Sequence, residues 1–452
     1  MLEISKNANP NYLCKVVQLK GLQKHSNADR LQTVSIDFNT VITGLDAKEG
    51  DVYVYFPVEG KISKDFLSFT NSFRDSTLNA DPYQKGFFED NCRVKAMKLR
   101  GEKSMGYIVP ASIVWEWAGV EKVKENLSTF NEDFAHRIGT EFDMIKGKLL
   151  VEKYQVPVKS SRDSRQGKKP KLSRLVEGQV HLHVDTENLR RNSHKVTPSD
   201  LISITYKTHG TSWWVGNVLV KRKLSLLERL SSFFGASISE LTYDLVYGSR
   251  KVVKNANLDD PKAKDHFFGY DLWEDIKNQI GEHIPKGWTL YGEMLGYDRN
   301  GRAIQKGFDY GCTPDGEVKY KLEVYRITNT TPDGLVTELT YPEIKAFCDR
   351  VGLTAPHLFF YGEAGDWYKK YGITDVDTSV SEHWQLGFIK DLERVYNEKD
   401  CFMCENKVPE EGIVVRVEDL FECKSYKLKS FRFLEFESNE LDKGVADVES
   451  AN

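Results

Sequence analysis

The residues whose types and spacing can do chemistry are one lysine, two glutamates and a lysine pair, strung between positions 207 and 429. Lys207 ends the run Leu201-Ile202-Ser203-Ile204-Thr205-Tyr206 and opens the string Lys207-Thr208-His209-Gly210-Thr211. An apolar, β-branched run of that length reads as a buried strand, which delivers the lysine at its end. A lysine amine attacks phosphorus only after losing its proton, which takes desolvation or neighbouring cations. Gly210 would let the backbone approach a phosphate or ribose closely. Taken alone, the string reads by default as a surface lysine before a turn.

The downstream strings change that reading. Glu293, in Tyr291-Gly292-Glu293-Met294-Leu295-Gly296, falls at the end of a strand-like run, where it can accept a hydrogen bond from a ribose hydroxyl. Glu411 precedes Gly412 and the run Ile413-Val414-Val415. A carboxylate there suits Mg²⁺ or Mn²⁺, since magnesium keeps much of its water and takes few protein ligands. Lys427 and Lys429, two apart, share one face of a strand. Their charges suit an α-phosphate and would ease proton loss from Lys207. These are the parts needed to pass a nucleotide through a lysine nitrogen, and their order along the chain carries the reading.

The elements that must position them follow from the rest of the chain. At 452 residues two or three domains are expected, with an α+β pattern. Residues 1–158 read as one domain, mostly β over 11–115 and helical then strand-like over 116–158, with runs at Leu13–Leu19, Leu31–Ile36, Thr40–Leu45 and Val52–Val58 separated by turn residues. Short strands at this spacing suggest a small Greek-key barrel of the oligonucleotide-binding type. The run Arg93–Gly101 alternates basic with apolar residues and slips phase at Ala96-Met97; a bulge there would bring Arg93, Lys95, Lys98 and Arg100 to one side. Residues 159–176 form a basic, Ser/Gly/Pro-containing linker. A second domain spans 177–437, with helices at Leu226–Phe234, Asp271–Ile280 and Thr340–Val351 and strands at Trp288–Leu295 and Tyr320–Thr328. Residues 438–452 read as an acidic, frayed tail.

Bulk properties narrow the classes. A net charge of −4 excludes a protein that coats nucleic acid by overall charge, while the cluster from Lys159 to Arg174 leaves room for a local basic surface. No run of eighteen apolar residues exists, and the N-terminus lacks signal-peptide design, so no membrane is implied. Seven cysteines without regular spacing point to a reducing, cytoplasmic compartment. Cys401-Phe402-Met403-Cys404 has half of a zinc-site spacing without a second pair at a recognised distance. His181 and His183 fit a solvated strand edge, and Asp185–Asn192 fits a helix start capped by Asp185 or Thr186.

Taken together, the strings resemble the covalent nucleotidyltransferases, the polynucleotide ligases and mRNA capping enzymes. Their motif I reads K-x-(D/H)-G, motif III centres on a glutamate, and motifs IV and V read E-G-(I/V)-V and K-x-K. The form Lys207-Thr208-His209-Gly210-Thr211 resembles ATP-dependent RNA ligases; DNA ligases and capping enzymes usually carry aspartate in place of His209. The segment Lys24–Leu31 resembles the opening of RNA-binding barrels attached to tRNA-handling proteins and some RNA ligases. Tyr247-Gly248-Ser249-Arg250 resembles motif Ia, which makes Arg250 a phosphate contact, and Lys321–Ile327 resembles motif IIIa. In the family an aromatic residue of that strand stacks on adenine; here Leu322 holds the matching position and Tyr320 lies two residues earlier on the same face.

The resemblance covers residues 180–436 and implies an enzyme that joins RNA 3′-OH and 5′-phosphate ends in three steps, through lysyl-AMP and RNA-adenylate. It implies ATP and a divalent metal as cofactors, His209 and Gly210 beside the nucleotide, and end-healing enzymes as partners. A capping-type guanylyltransferase, a DNA ligase and a non-catalytic RNA-binding protein remain as alternatives.

Overall fold

The period-two alternation in both halves of the chain folds into mainly antiparallel sheets flanked by helices, with Glu187–Asn188 parallel to its neighbour, a mixed α+β architecture. The computed structural model describes residues 2–120, 137–155, 173–183, 185–256, 268–372, 381–421 and 423–443. Most of the basic linker and the last residues of the acidic tail lie outside these.

In the N-terminal unit a four-stranded sheet runs Tyr107–Pro110, Val52–Phe56, Cys14–Gln18, Glu141–Phe142. Leu31–Ile36 pairs with Asn39–Gly44 across a two-residue turn in which Asp37 and Phe38 both have positive φ. That backbone matches strand twist, as tight hairpins require. Inward residues Val16, Val54, Phe56, Trp115 and Phe142 share one core. Among the described residues these sheets form separate ladders.

The basic run behaves differently from the bulged strand expected of it. Only Ala96–Leu99 is strand, paired in unbroken register with Glu102–Met105, and no bulge collects the four cations. Arg93 is buried, with its guanidinium donating to the Ser438 carbonyl at 2.8 Å and to Asp442 at 2.5 Å. Lys95 donates to the same Asp442 at 2.8 Å, Lys98 lies 5.7 Å over the Phe431 ring, and Arg100 sits in the hairpin turn. Three of these cations therefore hold the C-terminal helix Phe431–Asp442. That helix also corrects the frayed tail, since it continues to Asp442 with Ser430 as its cap.

The second unit contains two five-stranded sheets. One runs Glu187–Asn188, Lys424–Lys429, Gly412–Val417, Leu201–Lys207, Leu358–Glu363; the other runs Leu241–Gly248, Thr211–Lys221, Trp288–Gly296, Tyr320–Thr330, Val336–Glu338. The outer face of the first packs on Trp367, Trp384 and Phe388, and that of the second on Trp273, Ile276 and Phe347. Thr340 and Glu343 form a reciprocal cap on the helix Tyr341–Val351, which lies within the predicted span Thr340–Val351. Much of the stretch between Lys207 and Arg250 is a long hairpin, Thr211–Lys221 against Leu241–Gly248, with the helix Leu226–Phe233 at its tip.

The two units are stitched by buried polar groups. Arg191 donates to the carbonyls of Asn11 at 3.2 Å and Leu13 at 2.8 Å, and to Glu141 at 2.5 Å. The expected helix start at Asp185 or Thr186 is displaced to Asn188, which caps Leu189–Asn192 and so turns Arg190 and Arg191 inward. Removing one partner of a buried charge pair leaves the rest uncompensated. Arg191→Ala should cost about 3 kcal/mol of stability, read as a lower urea midpoint of the N-terminal unit; an unchanged midpoint would show that the guanidinium does not hold the units together.

Candidate active site

Register assembles the site. Across the first sheet, Lys207 lies opposite Gly412, and Gly412 opposite Lys429; one turn of the pleat away, Thr205, Val414 and Lys427 form a parallel row. Alternation puts Ser203, Thr205, Lys207, Val414, Arg416, Lys427 and Lys429 on one face, and all line a cavity of about 530 Å³. Gly412 sits at φ +139°, and a Cβ there would meet the Leu428 carbonyl at 2.1 Å, so this crossing admits only glycine.

Lys207 Nζ lies 2.7 Å from Glu411, whose side chain is 3% exposed. The lysine pair is expected to ease proton loss from this amine; Glu411 lies against it as an ion-pair partner. Lys429 is 4.0 Å from the same carboxylate, 2.9 Å from Glu437 and 3.5 Å from Glu59. Burial opposes its charge, but Glu437, Glu59 and Glu411 outweigh that and hold it well above the ordinary lysine range. Lys427 shifts the other way, lowered to about 8 by burial and then by the charges of Lys429 and Lys207.

The second sheet supplies the opposite wall. Ser212, Glu293 and Glu323 lie in one cross-strand row, and the Ser212 hydroxyl donates to Glu293 at 2.8 Å. Glu293 lines the cavity from the interior of its strand, where the sequence suggested the strand's end. Glu323 accepts from the Thr208 hydroxyl at 2.6 Å; burial raises it to about 7 against the lowering effects of Thr208, Lys207 and Lys321.

Two expected base contacts are not brought to the cavity. Tyr320 and Leu322 point to the other face, where Leu322 is core beside Trp273 and the Tyr320 hydroxyl donates to Gln279 at 2.8 Å. The aromatic side chain of this strand that does line the cavity is Tyr325, 3.1 Å from His183 Nδ1. The alternation that buries Leu322 places Glu323 and Tyr325 on the facing side, so the signal was present in the string. Gly210 is also away from the cavity: a Cβ on it would meet the Met294 carbonyl at 2.4 Å, so the close approach is to a strand.

His209 packs edge-on between Phe308 and Phe433, with centroids 5.0 Å away in each case, and its Nδ1 is 3.9 Å from Glu411. Its backbone N–H donates to the Tyr310 hydroxyl at 2.6 Å. Arg250 lines the cavity and donates twice to Asp185, at 3.0 and 2.6 Å, while Asn9 donates to the same carboxylate. Burial alone would raise Asp185, but Arg250, Lys427 and Lys153 bring it down to about 2. The residues missed from sequence include Glu59 and Tyr12, which reach the cavity from the N-terminal unit, a long-range placement that no local pattern encodes.

Among the described residues no three His, Cys, Asp or Glu side chains form a metal cage. Glu411 still fits a hydrated divalent ion, because its buried Oε2 makes no hydrogen bond and such ions take one or two carboxylates beside substrate phosphates. All seven cysteines are free, and no described helix is long and apolar enough to cross a membrane.

No family model and no curated protein sequence matches the chain. Solved structures do. A lysine-to-alanine variant of the Naegleria gruberi RNA ligase with ATP and Mn aligns at TM-score 0.54 and 13% identity, covering 97% of this chain and 100% of that one. A lysine-to-methionine variant of that ligase with AMP and Mn gives 0.53 at 14% identity, covering 94% and 98%, and the ligase with PPi gives 0.52 at 14%, covering 95% and 99%. The chain therefore has a fold resembling that of the Naegleria gruberi RNA ligase over nearly its whole length.

A cavity floored by these lysines should bind inorganic pyrophosphate, with affinity that depends on the charge of Lys427. Since Lys427 titrates near 8 in the unliganded protein, affinity should hold below that value and fall as pH rises from 7.5 to 9.5, because binding must then take up a proton. Calorimetric titration should show a loss of about tenfold over that range, flattened in Lys427→Arg. Equal affinity at both ends in the unsubstituted protein would remove Lys427 from the anion site.

Proposed function

We propose that the protein is an ATP-dependent RNA ligase that seals RNA 3′-OH and 5′-phosphate ends. The observation that carries this reading is the cross-strand row Lys207–Gly412–Lys429 with Glu411 at its edge, facing Glu293 across one cavity. In the first step the Lys207 nitrogen attacks the α-phosphorus of ATP, a P–N bond forms, the bond to the bridging oxygen breaks and pyrophosphate leaves. The amine must first give up its proton, which its contact with Glu411 opposes until that carboxylate's charge is neutralised. A hydrated Mg²⁺ or Mn²⁺ held through Glu411 would supply that neutralisation and offset charge on the phosphate. Lys427 and Lys429 orient the α-phosphate, Arg250 meets a phosphate oxygen, and Glu293 accepts from a ribose hydroxyl. His209, fixed by its backbone bond to Tyr310, borders the pyrophosphate side.

In the second step the RNA 5′-phosphate oxygen takes AMP from Lys207. In the third, the 3′-OH attacks the adenylated phosphate, AMP leaves and the phosphodiester closes. The adenine would stack on Tyr325, which replaces Tyr320 and Leu322 in this role. We read the N-terminal sheets as an oligonucleotide-binding module that holds the RNA, with end-healing enzymes preparing its termini. The seven free thiols favour a reducing compartment such as the cytoplasm.

Labelling, sealing and binding measurements test this. Lys207→Ala and Lys207→Arg should both lose covalent labelling by α-labelled ATP, the second because a guanidinium stays protonated; labelling of either at the unsubstituted rate refutes the nucleophile. Labelling by GTP in preference to ATP would favour a capping-type guanylyltransferase, sealing of DNA nicks alone a DNA ligase, and RNA retention without any adduct a binding protein. Tyr325→Ala should raise the ATP concentration for half-maximal labelling by roughly tenfold, as base stacking is worth about 1–3 kcal/mol, whereas Tyr320→Ala should leave it unchanged. The reverse pattern would return the base to the face of Tyr320.

A further inference from the structure

The turn Cys401-Phe402-Met403-Cys404 is absorbed by none of the roles above, yet it is built against the nucleophile strand. The Cys404 N–H donates to the Cys401 carbonyl at 3.4 Å, closing a turn across the two cysteines. In such a turn the two Cα atoms lie within about 7 Å, which overlaps the range a disulfide spans. Cys401 is buried and Cys404 half-buried at an exposed loop whose Phe402 is 59% exposed. The thiols share a hydrogen bond from Cys404 to Cys401, which lowers Cys401 below its ordinary range and, with burial, raises Cys404. With no third ligand among the described residues the pair does not make a metal site.

Two routes join this turn to the site. Phe402 packs edge-on against Tyr206, the residue before Lys207, at 5.2 Å between centroids, and the Tyr206 hydroxyl is buried beside Cys401. On the other side, the N–H groups of Glu405 and Asn406 donate to the Asp309 carboxylate, each at 2.9 Å. Asp309 precedes Tyr310, which sits at φ +50° and accepts from the His209 N–H. A tyrosine in the left-handed region is held there by its surroundings, so movement of the 401–406 loop reaches the His209 backbone through two residues.

We propose that Cys401 and Cys404 form a reversible dithiol–disulfide site whose oxidation slows the chemistry at Lys207. The first half of the inference stands on the turn itself; the second rests on the reading of Lys207 as nucleophile. With a peroxide as oxidant, the Cys401 thiolate attacks one peroxide oxygen, the O–O bond breaks, and with one proton taken up a sulfenic acid and water result. The Cys404 sulfur then displaces the sulfenic oxygen, which leaves as a second water, and the S–S bond closes. Two thiols have lost two electrons and two protons, and the peroxide has been reduced to two waters. Closing the bond draws the sulfurs to about 2.05 Å and tightens the turn. Phe402 and the two N–H groups on Asp309 then move with it.

The full-length protein is treated with hydrogen peroxide, alkylated and digested with trypsin, which releases both cysteines in the single peptide Asp400–Lys407. The expected product is that peptide lighter by two hydrogens and blocked to alkylation, restored by dithiothreitol. Lysyl-AMP formation should fall about tenfold to a hundredfold in the oxidised protein, as for a misplaced nucleophile, and recover on reduction. Cys404→Ser and Cys404→Ala should label normally when reduced and lose this reversible inhibition. A peptide that retains both thiols overturns the site, and an oxidised protein labelling at the reduced rate overturns its coupling to Lys207. If the reduced protein does not label at all, the ligase reading fails, while the peptide still decides the disulfide; pyrophosphate affinity, which needs no turnover, then decides the coupling, with equal affinity in both redox states counting against it.

Discussion

The site depends on one constraint, the antiparallel register that sets Lys207, Gly412 and Lys429 in a line across three strands. Side chains alternate along a strand, so a slip of one residue would turn Lys207 away from the cavity toward the core on the sheet's other face. The outer face prevents that slip. Ile202, Ile204, Ile413, Val415 and Leu428 are all buried on it against Trp367, Trp384 and Phe388. Hydrophobic packing on one side of the sheet therefore fixes the placement of ions on the other, and Gly412 allows the strands to cross where any side chain would strike a carbonyl.

Most of this architecture was legible because it is written in alternation. The strand ending at Lys207, the lysine pair two residues apart, and the helix before Gly352 each depend on neighbours within a few positions. Tyr320 and Leu322 were assigned to the wrong face for a related reason. A motif string carries a phase but not which phase meets the cavity, and here the face with Leu322 packs on Trp273. The cations of Arg93–Arg100 were misread because their partners, Ser438, Asp442 and Phe431, lie more than three hundred residues away. Side chains that look available on a local pattern are committed to a helix whose last turn the same pattern treats as tail.

The same distance limits concealed the part of the cavity contributed by the N-terminal unit. Glu59 holds a left-handed backbone conformation at φ +67°, uncommon for a glutamate, at the point where its chain enters the cavity. Tyr12 donates to it at 3.1 Å, and burial together with the Glu59 charge keeps that tyrosine neutral. The cavity is thus a joint product of both units, and stitching by Arg191, Asn9 and Asn11 is what keeps Glu59 opposite Lys429.

That opposition makes the lysine pair unequal. Lys429 is surrounded by three carboxylates that stabilise its charge, whereas Lys427, two residues away, has cations as its strongest neighbours. A buried cation among cations gains most from an arriving anion, because the anion relieves both its desolvation and its repulsion. A phosphate entering the cavity would therefore be drawn first toward Lys427. Its approach to Lys429 would compete with Glu59 and Glu437 for the same ammonium. An anion at Lys429 would thus compete with its Glu59 contact, one of several that join the two units.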